Sequence, residues 1–382
     1  MENRYIYMDN AATAGQRPDA VAEAVIWQMR HSGNAGRGSH GVSLKASGVV
    51  YDTRKKLSAL FHAEGPERIS FTANATDSLN LAIKGCLKAG DHVITTVMEH
   101  NSVLRPLYEM QERGVALTIA ACDALGNLDW QALESAVTPK SKAIVCTHAS
   151  NLTGNAIDLE RMNAFVKKHK LLWILDASQT AGSMDIDVSK YEISILCFTG
   201  HKGLMGPQGT GGIYVRPGVE IQAQKSGGSG FDSFNRRHPE LMPEALEAGT
   251  LNSHGLAGLS AALDYILTTG VEVIHEKEIR LMRRFLKGIE VIEGVRLYGD
   301  YHSDERAPIV ALNIGDADSS EISDLLDQEF HICTRPGAHC APLMHKALGT
   351  EIQGAVRFSF SVFNTEEEID EAISAIKEIA EG

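Results

Sequence analysis

Short apolar segments recur along the first part of the chain, with helical patterns between several of them. Seven such segments follow one another, mostly about 20–30 residues apart, at 68–71, 92–97, 115–120, 143–147, 171–175, 193–198 and 212–215. Strands that read as continuous apolar runs and alternate with helices are typical of a mostly parallel sheet that is covered on both faces. The pattern therefore predicts an α/β fold built on a seven-stranded, mostly parallel sheet.

The pattern changes between residues 255 and 270. Beyond this point, two helical segments are divided at Gly270, and shorter strand and helix patterns follow toward the C-terminus. A chain of 382 residues fits two domains, at ~100–200 residues per domain. We predict a large domain over 15–260 and a smaller α/β C-terminal domain over 261–382, with the N-terminal segment 1–14 packing near the smaller domain.

Charge and hydropathy narrow the classes of function. The chain has 36 basic and 49 acidic residues, a formal net charge of −13, and no dense Lys/Arg block. Such a charge repels nucleic acid and anionic lipid. No apolar run approaches the ~18 residues of a membrane-spanning helix, and the N-terminus lacks the pattern of a secretory signal. We therefore expect a cytoplasmic protein with no nucleic-acid or membrane partner.

Polar side chains follow four of the predicted strands. Ligands of open α/β sheets bind outside the carboxyl ends of the strands. One polar residue there is more often a helix cap, whereas polar residues after four strands favour a small-molecule site. The polar residues are Glu99, His100 and Asn101 after 92–97, Thr147 at the end of 143–147 with His148 and Asn151 beyond it, Asp176 and Gln179 after 171–175, and Thr199, His201 and Lys202 after 193–198.

The residues at 73–76 suggest an anion site. They are small and open a predicted helix, so backbone N–H groups and the Thr76 hydroxyl can face an anion. Taken alone, this segment is better explained by an ordinary capped helix start. The P-loop motif is absent.

Lys202 is the most informative single residue. It lies in TGHKGLMGPQGTGG (199–212), directly after a predicted buried strand, among glycines that permit close approach of the backbone to a ligand. A lysine held inward there would have a lowered pKa and an amine free for Schiff-base chemistry. The alternative is an ordinary solvated lysine.

The cysteines divide into two groups. None forms a CxxC pair, and a chain of this length needs no disulfide framework, so we predict no metal site. Cys340 lies in TRPGAHCAPL (334–343), where proline and glycine favour a loop. Beside His339, such a cysteine is expected to be exposed and rich in thiolate, although a buried cysteine is an equal alternative. The other five are predicted to be structural: Cys86, Cys122, Cys146, Cys197 and Cys333.

Taken together, these segments resemble fold-type I, pyridoxal-phosphate-dependent enzymes of aminotransferase class V, and more narrowly the cysteine desulfurases and selenocysteine lyases. The similarity runs from YMDNAAT (7–13) through GTLNSHGLAGLSAAL (249–263) to VRFSFSVFNTEEEID (356–370). It implies the PLP-dependent transferase fold of type I, with pyridoxal 5′-phosphate in the domain 15–260, and a homodimer with shared sites. The short segment before Cys340 is similar to that of the type II group.

The resemblance also implies which residues hold the cofactor. Lys202 matches the lysine that binds it covalently, and Asp176 matches the carboxylate that keeps the ring nitrogen protonated. His100 matches the imidazole stacked on the ring, and Gln179 the contact to the ring hydroxyl. The implied phosphate contacts are the backbone at Ala75, the side chains of Thr76, Thr199 and His201, and Thr250 of the partner subunit.

The implied substrate residues come largely from the C-terminal part of the chain. Arg357 matches the arginine that binds the substrate carboxylate, a task that suits a guanidinium fork, and Asn151 resembles a neighbouring contact. Cys340 matches the cysteine that becomes a persulfide, and His339 is a candidate for proton transfer near the sulfur. Ser102 departs from the family, since alanine is frequent at that position.

The function implied first is PLP-dependent cysteine desulfuration. It converts L-cysteine to L-alanine and leaves the sulfur on Cys340 as a persulfide, from which an acceptor protein takes it. Three alternatives stay open on the sequence: release of selenium from L-selenocysteine, another class V aminotransferase or lyase reaction, and a non-catalytic sulfur carrier or scaffold.

Overall fold

The computed structural model describes residues 5–36, 38–230 and 233–382. Within these ranges the strands are β1 (Ile6–Tyr7), β2 (Ile69–Thr72), β3 (His92–Thr96), β4 (Ala116–Ala120), β5 (Ser141–Thr147), β6 (Leu172–Asp176), β7 (Ile195–Thr199), β8 (Gly211–Val215), β9 (Val295–Tyr298), β10 (Ile309–Ile314), β11 (Ile332–Cys333) and β12 (Val356–Ser359). The α-helices are α1 (Asp19–His31), α2 (Gly41–Leu60), α3 (Ala75–Cys86), α4 (Asn101–Glu112), α5 (Trp130–Ser135), α6 (Leu159–His169), α7 (Ser253–Thr269), α8 (Val271–Ile289), α9 (Ser319–Phe330), α10 (Pro342–Leu348) and α11 (Glu366–Glu381).

The central sheet has seven strands in the order β2-β8-β7-β6-β5-β3-β4. The strands from β3 to β7 are parallel to their neighbours in this group, and β8 is antiparallel to both β2 and β7. Each of the seven apolar segments forms one of these strands. The prediction of a seven-stranded, mostly parallel sheet is therefore confirmed.

Both faces of this sheet are buried. Along β6, Trp173 and Leu175 pack in an apolar cluster with α1, α2, α6 and α7, whereas Ile174 packs in a second cluster with α3 and α4. Burying a large apolar side chain stabilises the fold by about 1.5–3 kcal/mol. Because successive strand residues point to opposite faces, a strand with helices on both sides must be apolar throughout, as the sequence pattern indicated.

The long helix α2 is not predicted by the sequence. Its buried face carries Ala46, Val50 and Leu57, but Leu44 and Tyr51 are exposed. Apolar residues on both sides of a helix obscure the 3.6-residue period on which sequence prediction depends.

The C-terminal part forms a second, smaller unit around the antiparallel sheet β12-β10-β9. Ile6 and Met8 from the N-terminus pack in its apolar cluster together with α8, α9 and α11, and β1 pairs with β11. The predicted division at 260/261 falls inside α7, whose Leu259 and Leu263 both pack in the cluster of the central sheet. The division into 15–260 and 261–382 stays a prediction.

Helices α7 and α8 meet at an angle of 84°. In the part of the chain that the structure describes, no single helix is long and apolar enough to cross a membrane, and these two satisfy the criteria of length and composition only as a bent pair.

Candidate active site

A cavity of about 300 Å³ lies beyond the carboxyl ends of β3, β5, β6 and β7. These four strands are neighbours in the sheet, so the polar residues that follow them meet at one edge. All predicted site residues except Thr250 and Cys340 line this cavity. The lining residues among them are Ala75, Thr76, His100, Asn151, Asp176, Gln179, Thr199, His201, Lys202, His339 and Arg357.

Lys202 lines this cavity with a buried amine of lowered pKa. None of the described residues forms a hydrogen bond with it, and burial, followed by the charge of Arg357, lowers its pKa to about 8. About a tenth of the amine is then neutral at pH 7. A methyl group on Gly203 would lie 2.7 Å from the carbonyl oxygen of Ala181, so this glycine permits close packing of two backbone segments. Close approach of the neighbouring glycines to a ligand stays a prediction.

Asp176 ends β6 with one oxygen engaged and one free. Oδ1 accepts hydrogen bonds from the backbone N–H and the hydroxyl of Ser178, while Oδ2 has no hydrogen-bond partner among the described residues. Burial raises the pKa of Asp176. A cationic N–H placed at Oδ2 would lower that pKa again and keep the carboxylate charged.

His100 caps the N-terminus of α4. Its Nδ1 accepts the backbone N–H of Ser102 at 3.0 Å, and burial lowers its pKa to about 4. The imidazole is therefore neutral near pH 7. Because Nδ1 is the acceptor, the ring proton lies on Nε2.

The part of the cavity that α3 lines fits an anion. The N-terminus of α3 lies there, and the backbone N–H groups of Ala75 and Thr76 have no acceptor within the described residues. The Thr199 hydroxyl is buried and also without a partner. Free N–H groups at a helix N-terminus favour a phosphate. His201 lies nearby with its Nδ1 3.1 Å from the Thr13 hydroxyl, and Gln179 donates to the Ala11 carbonyl at 3.2 Å.

Arg357 lies on β12 and is 1% exposed. Its Nη1 donates to the Asn151 carbonyl at 2.9 Å and its Nη2 to the Asp9 carboxylate at 2.8 Å. A guanidinium has five N–H donors, and Nε has no partner among the described residues. Three N–H groups are thus free for a carboxylate, and Arg335 lines the same cavity as a second cation.

The backbone around Cys340 is attached to the rim of the cavity. The Cys340 carbonyl accepts the Asn101 N–H at 2.7 Å, and the His339 carbonyl accepts Asn151 Nδ2 at 2.8 Å. Both His339 and Cys340 have left-handed φ angles of 50° and 55°, a conformation that costs non-glycine residues of order 1–3 kcal/mol each. Their strained backbone is therefore maintained by contacts from two strand ends of the large sheet.

Cys340 is the exposed member of the six cysteines, all of which are free thiols; Cys86, Cys146 and Cys197 are buried, and Cys122 and Cys333 are half-buried. Burial raises the pKa of Cys86 to about 11, which makes it unreactive. The predicted loop over 334–343 extends only to Ala341, because Pro342 begins α10. Proline at the first helical position is favourable, since its missing N–H would be unpaired there.

The His339 ring is held by the protein at both nitrogens. Nε2 lies 2.9 Å from the Arg335 carbonyl and Nδ1 lies 3.3 Å from Nε2 of His345. Burial lowers the pKa of His339 well below its usual range, so the ring is neutral. This arrangement favours a role in holding the loop, and proton transfer by His339 stays a prediction.

Thr250 is exposed and lines a different cavity, of about 340 Å³, together with Arg54 and Glu247. The structure of one chain therefore does not bring Thr250 to Lys202. This position is compatible with a role in the site of another subunit.

Several residues of the cavity and its supports are not predicted by the sequence. Asp9 and Arg335 carry no signal of their own in the local pattern, and Ser178 resembles an ordinary residue after a strand. Ser102 is apparent in the sequence only as a departure from the family. No group of three or more His, Cys, Asp or Glu side chains that could hold a metal ion occurs in the described ranges.

The sequence model of the family "Aminotransferase class-V" matches residues 6–372. The chain belongs to the class V aminotransferase family. Within it, a probable cysteine desulfurase from Pyrococcus abyssi is 33% identical over 383 residues, which cover 98% of this chain and 94% of that protein. A cysteine desulfurase from Serratia proteamaculans is 31% identical over 385 residues, covering 98% and 93%.

A solved structure agrees with this family assignment. The apo structure of a cysteine desulfurase from Thermococcus onnurineus NA1 has a TM-score of 0.93 and 33% sequence identity, covering 100% of this chain and 96% of that one. The predicted family and fold type are thus confirmed. Class V aminotransferases in general depend on pyridoxal 5′-phosphate. The free Lys202 amine, the open Oδ2 of Asp176 and the unpartnered Thr199 hydroxyl fit its aldehyde, ring nitrogen and phosphate.

Proposed function

We propose that this class V aminotransferase is a PLP-dependent cysteine desulfurase that converts L-cysteine to L-alanine and leaves the sulfur on Cys340 as a persulfide. One observation carries the proposal beyond the family. An exposed cysteine is attached, through its backbone, to the rim of the cavity that contains Lys202. A transaminase acting on other amino acids would have no use for a thiol at this place.

The cofactor would be held by residues from several elements that line the cavity. Lys202 would bind its aldehyde, Oδ2 of Asp176 its ring nitrogen, and the N-terminus of α3 with Thr76 and Thr199 its phosphate. Bound in this way, pyridoxal 5′-phosphate supplies an electron sink that stabilises negative charge at the Cα of an amino acid. A charged Asp176 keeps a proton on the ring nitrogen, which strengthens this effect.

The chain's own residues then bind L-cysteine and move its protons. The three free N–H groups of Arg357, with Arg335 beside it, bind the substrate carboxylate and orient the amino acid. With its lowered pKa, Lys202 is a base of suitable strength for the Cα proton. The neutral His100 presents its Nε2 proton and acts as a hydrogen-bond donor near the ring.

The sulfur is transferred to Cys340. Its thiolate attacks the β-sulfur of the substrate, so that an S–S bond forms and the substrate's C–S bond breaks. The carbon that loses sulfur takes up a proton, and the balance is L-cysteine plus enzyme thiol giving L-alanine plus enzyme persulfide. The acceptor that removes this sulfur and the cytoplasmic location stay predictions.

The test of the function is a product assay on the purified holoenzyme with L-cysteine. In the presence of a thiol reductant, which frees the persulfide sulfur, we expect alanine and sulfide in equal amounts. A 2-oxo acid in place of alanine would indicate transamination, and a protein that is colourless with PLP and inactive would indicate a carrier or scaffold. Parallel assays with L-selenocysteine establish which amino acid has the higher kcat/KM.

We further propose that the active unit is a homodimer in which Thr250 completes the site of the partner subunit. Helices α1 and α2 expose apolar side chains, with Trp27 47%, Met29 62% and Tyr51 59% exposed. An apolar surface of this kind is typical of an interface between subunits. Thr250 lies in the same region, since its cavity is lined by Tyr51.

Complementation between two inactive variants tests the shared site. Lys202→Ala and Thr250→Arg should each be inactive as homodimers, whereas the co-expressed heterodimer should regain activity. One of its two sites combines a natural Lys202 with a natural Thr250 from the other chain. Thr250→Ser, which keeps the hydroxyl, is the matched control. A mass of 41.4 kDa in light scattering, or an inactive heterodimer, would contradict the proposal.

A further inference from the structure

The Ser102 side chain lies between Thr76 and His100, which the family resemblance assigns to the phosphate and to the ring of the cofactor. Its Oγ is 2.7 Å from the hydroxyl of Thr76 and 2.9 Å from Nδ1 of His100. Its backbone N–H donates to the same nitrogen at 3.0 Å. All three residues line the Lys202 cavity. One hydroxyl thus connects Thr76, at the N-terminus of α3, to the imidazole of His100.

We propose that Ser102 is a positioning residue that couples phosphate binding at Thr76 to the number of hydrogen-bond donors at His100 Nδ1, and so to the basicity of that imidazole. The proposal rests on the cofactor site proposed above, but it concerns a residue that is frequently alanine in the family. An alanine there would keep the backbone N–H bond to His100 and lose the connection to Thr76.

The coupling follows from the number of donors and acceptors. A hydroxyl has one O–H donor, so Ser102 donates either to Thr76 or to His100 at any moment. When a phosphate accepts the Thr76 O–H, Thr76 can no longer donate to Ser102. In the contact between the two hydroxyls, Ser102 is then the donor and the Thr76 oxygen is the acceptor. The Ser102 hydroxyl then turns from His100 to Thr76, and the backbone N–H becomes the sole donor to Nδ1.

The position of the ring proton is preserved in both arrangements. Nδ1 accepts the Ser102 N–H in each case, so the proton stays on Nε2, which has no partner among the described residues. What changes is the number of donors at Nδ1, and with it the basicity of the imidazole. Phosphate binding therefore changes the strength of the His100 Nε2–H as a hydrogen-bond donor.

The experiment compares wild type with Ser102→Ala, and uses Ser102→Thr as the conservative variant. In the apoprotein labelled with ¹⁵N-histidine, inorganic phosphate should shift the His100 Nδ1 resonance of wild type and of Ser102→Thr, but not that of Ser102→Ala. The dissociation constant of PLP, measured by equilibrium dialysis, should rise by about 3–10-fold in Ser102→Ala, the effect of losing one hydrogen bond. Ser135→Ala, an exposed serine on α5, is the control outside the site.

The outcomes separate this proposal from the proposed function. An equal phosphate shift in wild type and Ser102→Ala, or no shift in wild type, would overturn the coupling whatever the enzyme's reaction is. A normal shift in a protein that makes no alanine would instead leave the coupling in place and overturn the desulfurase assignment.

Discussion

Lys202→Ala is expected to lose both the visible absorption of a lysine-bound pyridoxal cofactor and at least about 10³-fold in turnover of L-cysteine. The variant removes the group that attaches the cofactor and the base that takes the Cα proton. Phosphate contacts from α3 and Thr199 are unaffected, so the cofactor should still bind, in free form and with an absorption maximum shifted to shorter wavelength. Absorption spectra and alanine production measure the two effects.

The pKa of the Lys202 amine can be measured independently, from the pH dependence of its reaction with an aldehyde. Burial and Arg357 lower its pKa to about 8, so trapping of the apoprotein's Lys202 by a small aldehyde and cyanoborohydride should increase with pH and level off above about 8. A solvated lysine would level off only above about 10. Peptide mass mapping identifies the labelled residue. Lys84→Ala removes a half-buried lysine on α3 that pairs with Glu109 and should leave label and absorption unchanged. Covalent cofactor in Lys202→Ala would refute the assignment.

The parts of the site that the sequence predicts are those that follow from strand order alone. Asp176 ends β6 and Lys202 follows the end of β7 by three residues, and parallel neighbours end at the same edge of a sheet. Their convergence needs no knowledge of distant contacts. The loop around Cys340 is predictable for another reason, since proline and glycine exclude regular structure until Pro342.

The parts that the sequence could not predict depend on contacts between distant segments. Arg357 meets Asp9 across almost the whole chain, and nothing in the local pattern around Asp9 distinguishes it from other acidic residues. Arg335 faces the cavity because β12 pairs with its loop at a bridge between Arg335 and Arg357. The role of Ser102 depends on α3 and α4 lying side by side, which sequence spacing does not specify.

Cys340→Ser is expected to lower turnover of L-cysteine by about 10³-fold or more, the scale of effect when a nucleophile is removed. The cofactor absorption should be unchanged, since the cavity is lined by other residues. The wild-type enzyme, mixed with L-cysteine without reductant and analysed by mass spectrometry, should gain one sulfur atom on the peptide that contains Cys340. Cys122→Ser replaces a half-buried cysteine outside the cavity and should keep full turnover.

The loss of turnover in Cys340→Ser is expected to depend on the substrate. A C–Se bond is weaker than a C–S bond, so selenium leaves with less help from a nucleophile, and the same variant should lose much less activity with L-selenocysteine. A loss of activity with L-cysteine that is much larger than the loss with L-selenocysteine shows that Cys340 acts on the sulfur itself. Equal losses with both amino acids would mean that the substitution damages the cavity, since the backbone of Cys340 is bonded to Asn101 beside His100. Full turnover of L-cysteine by Cys340→Ser would exclude the persulfide and leave the exposed thiol without a role in the reaction.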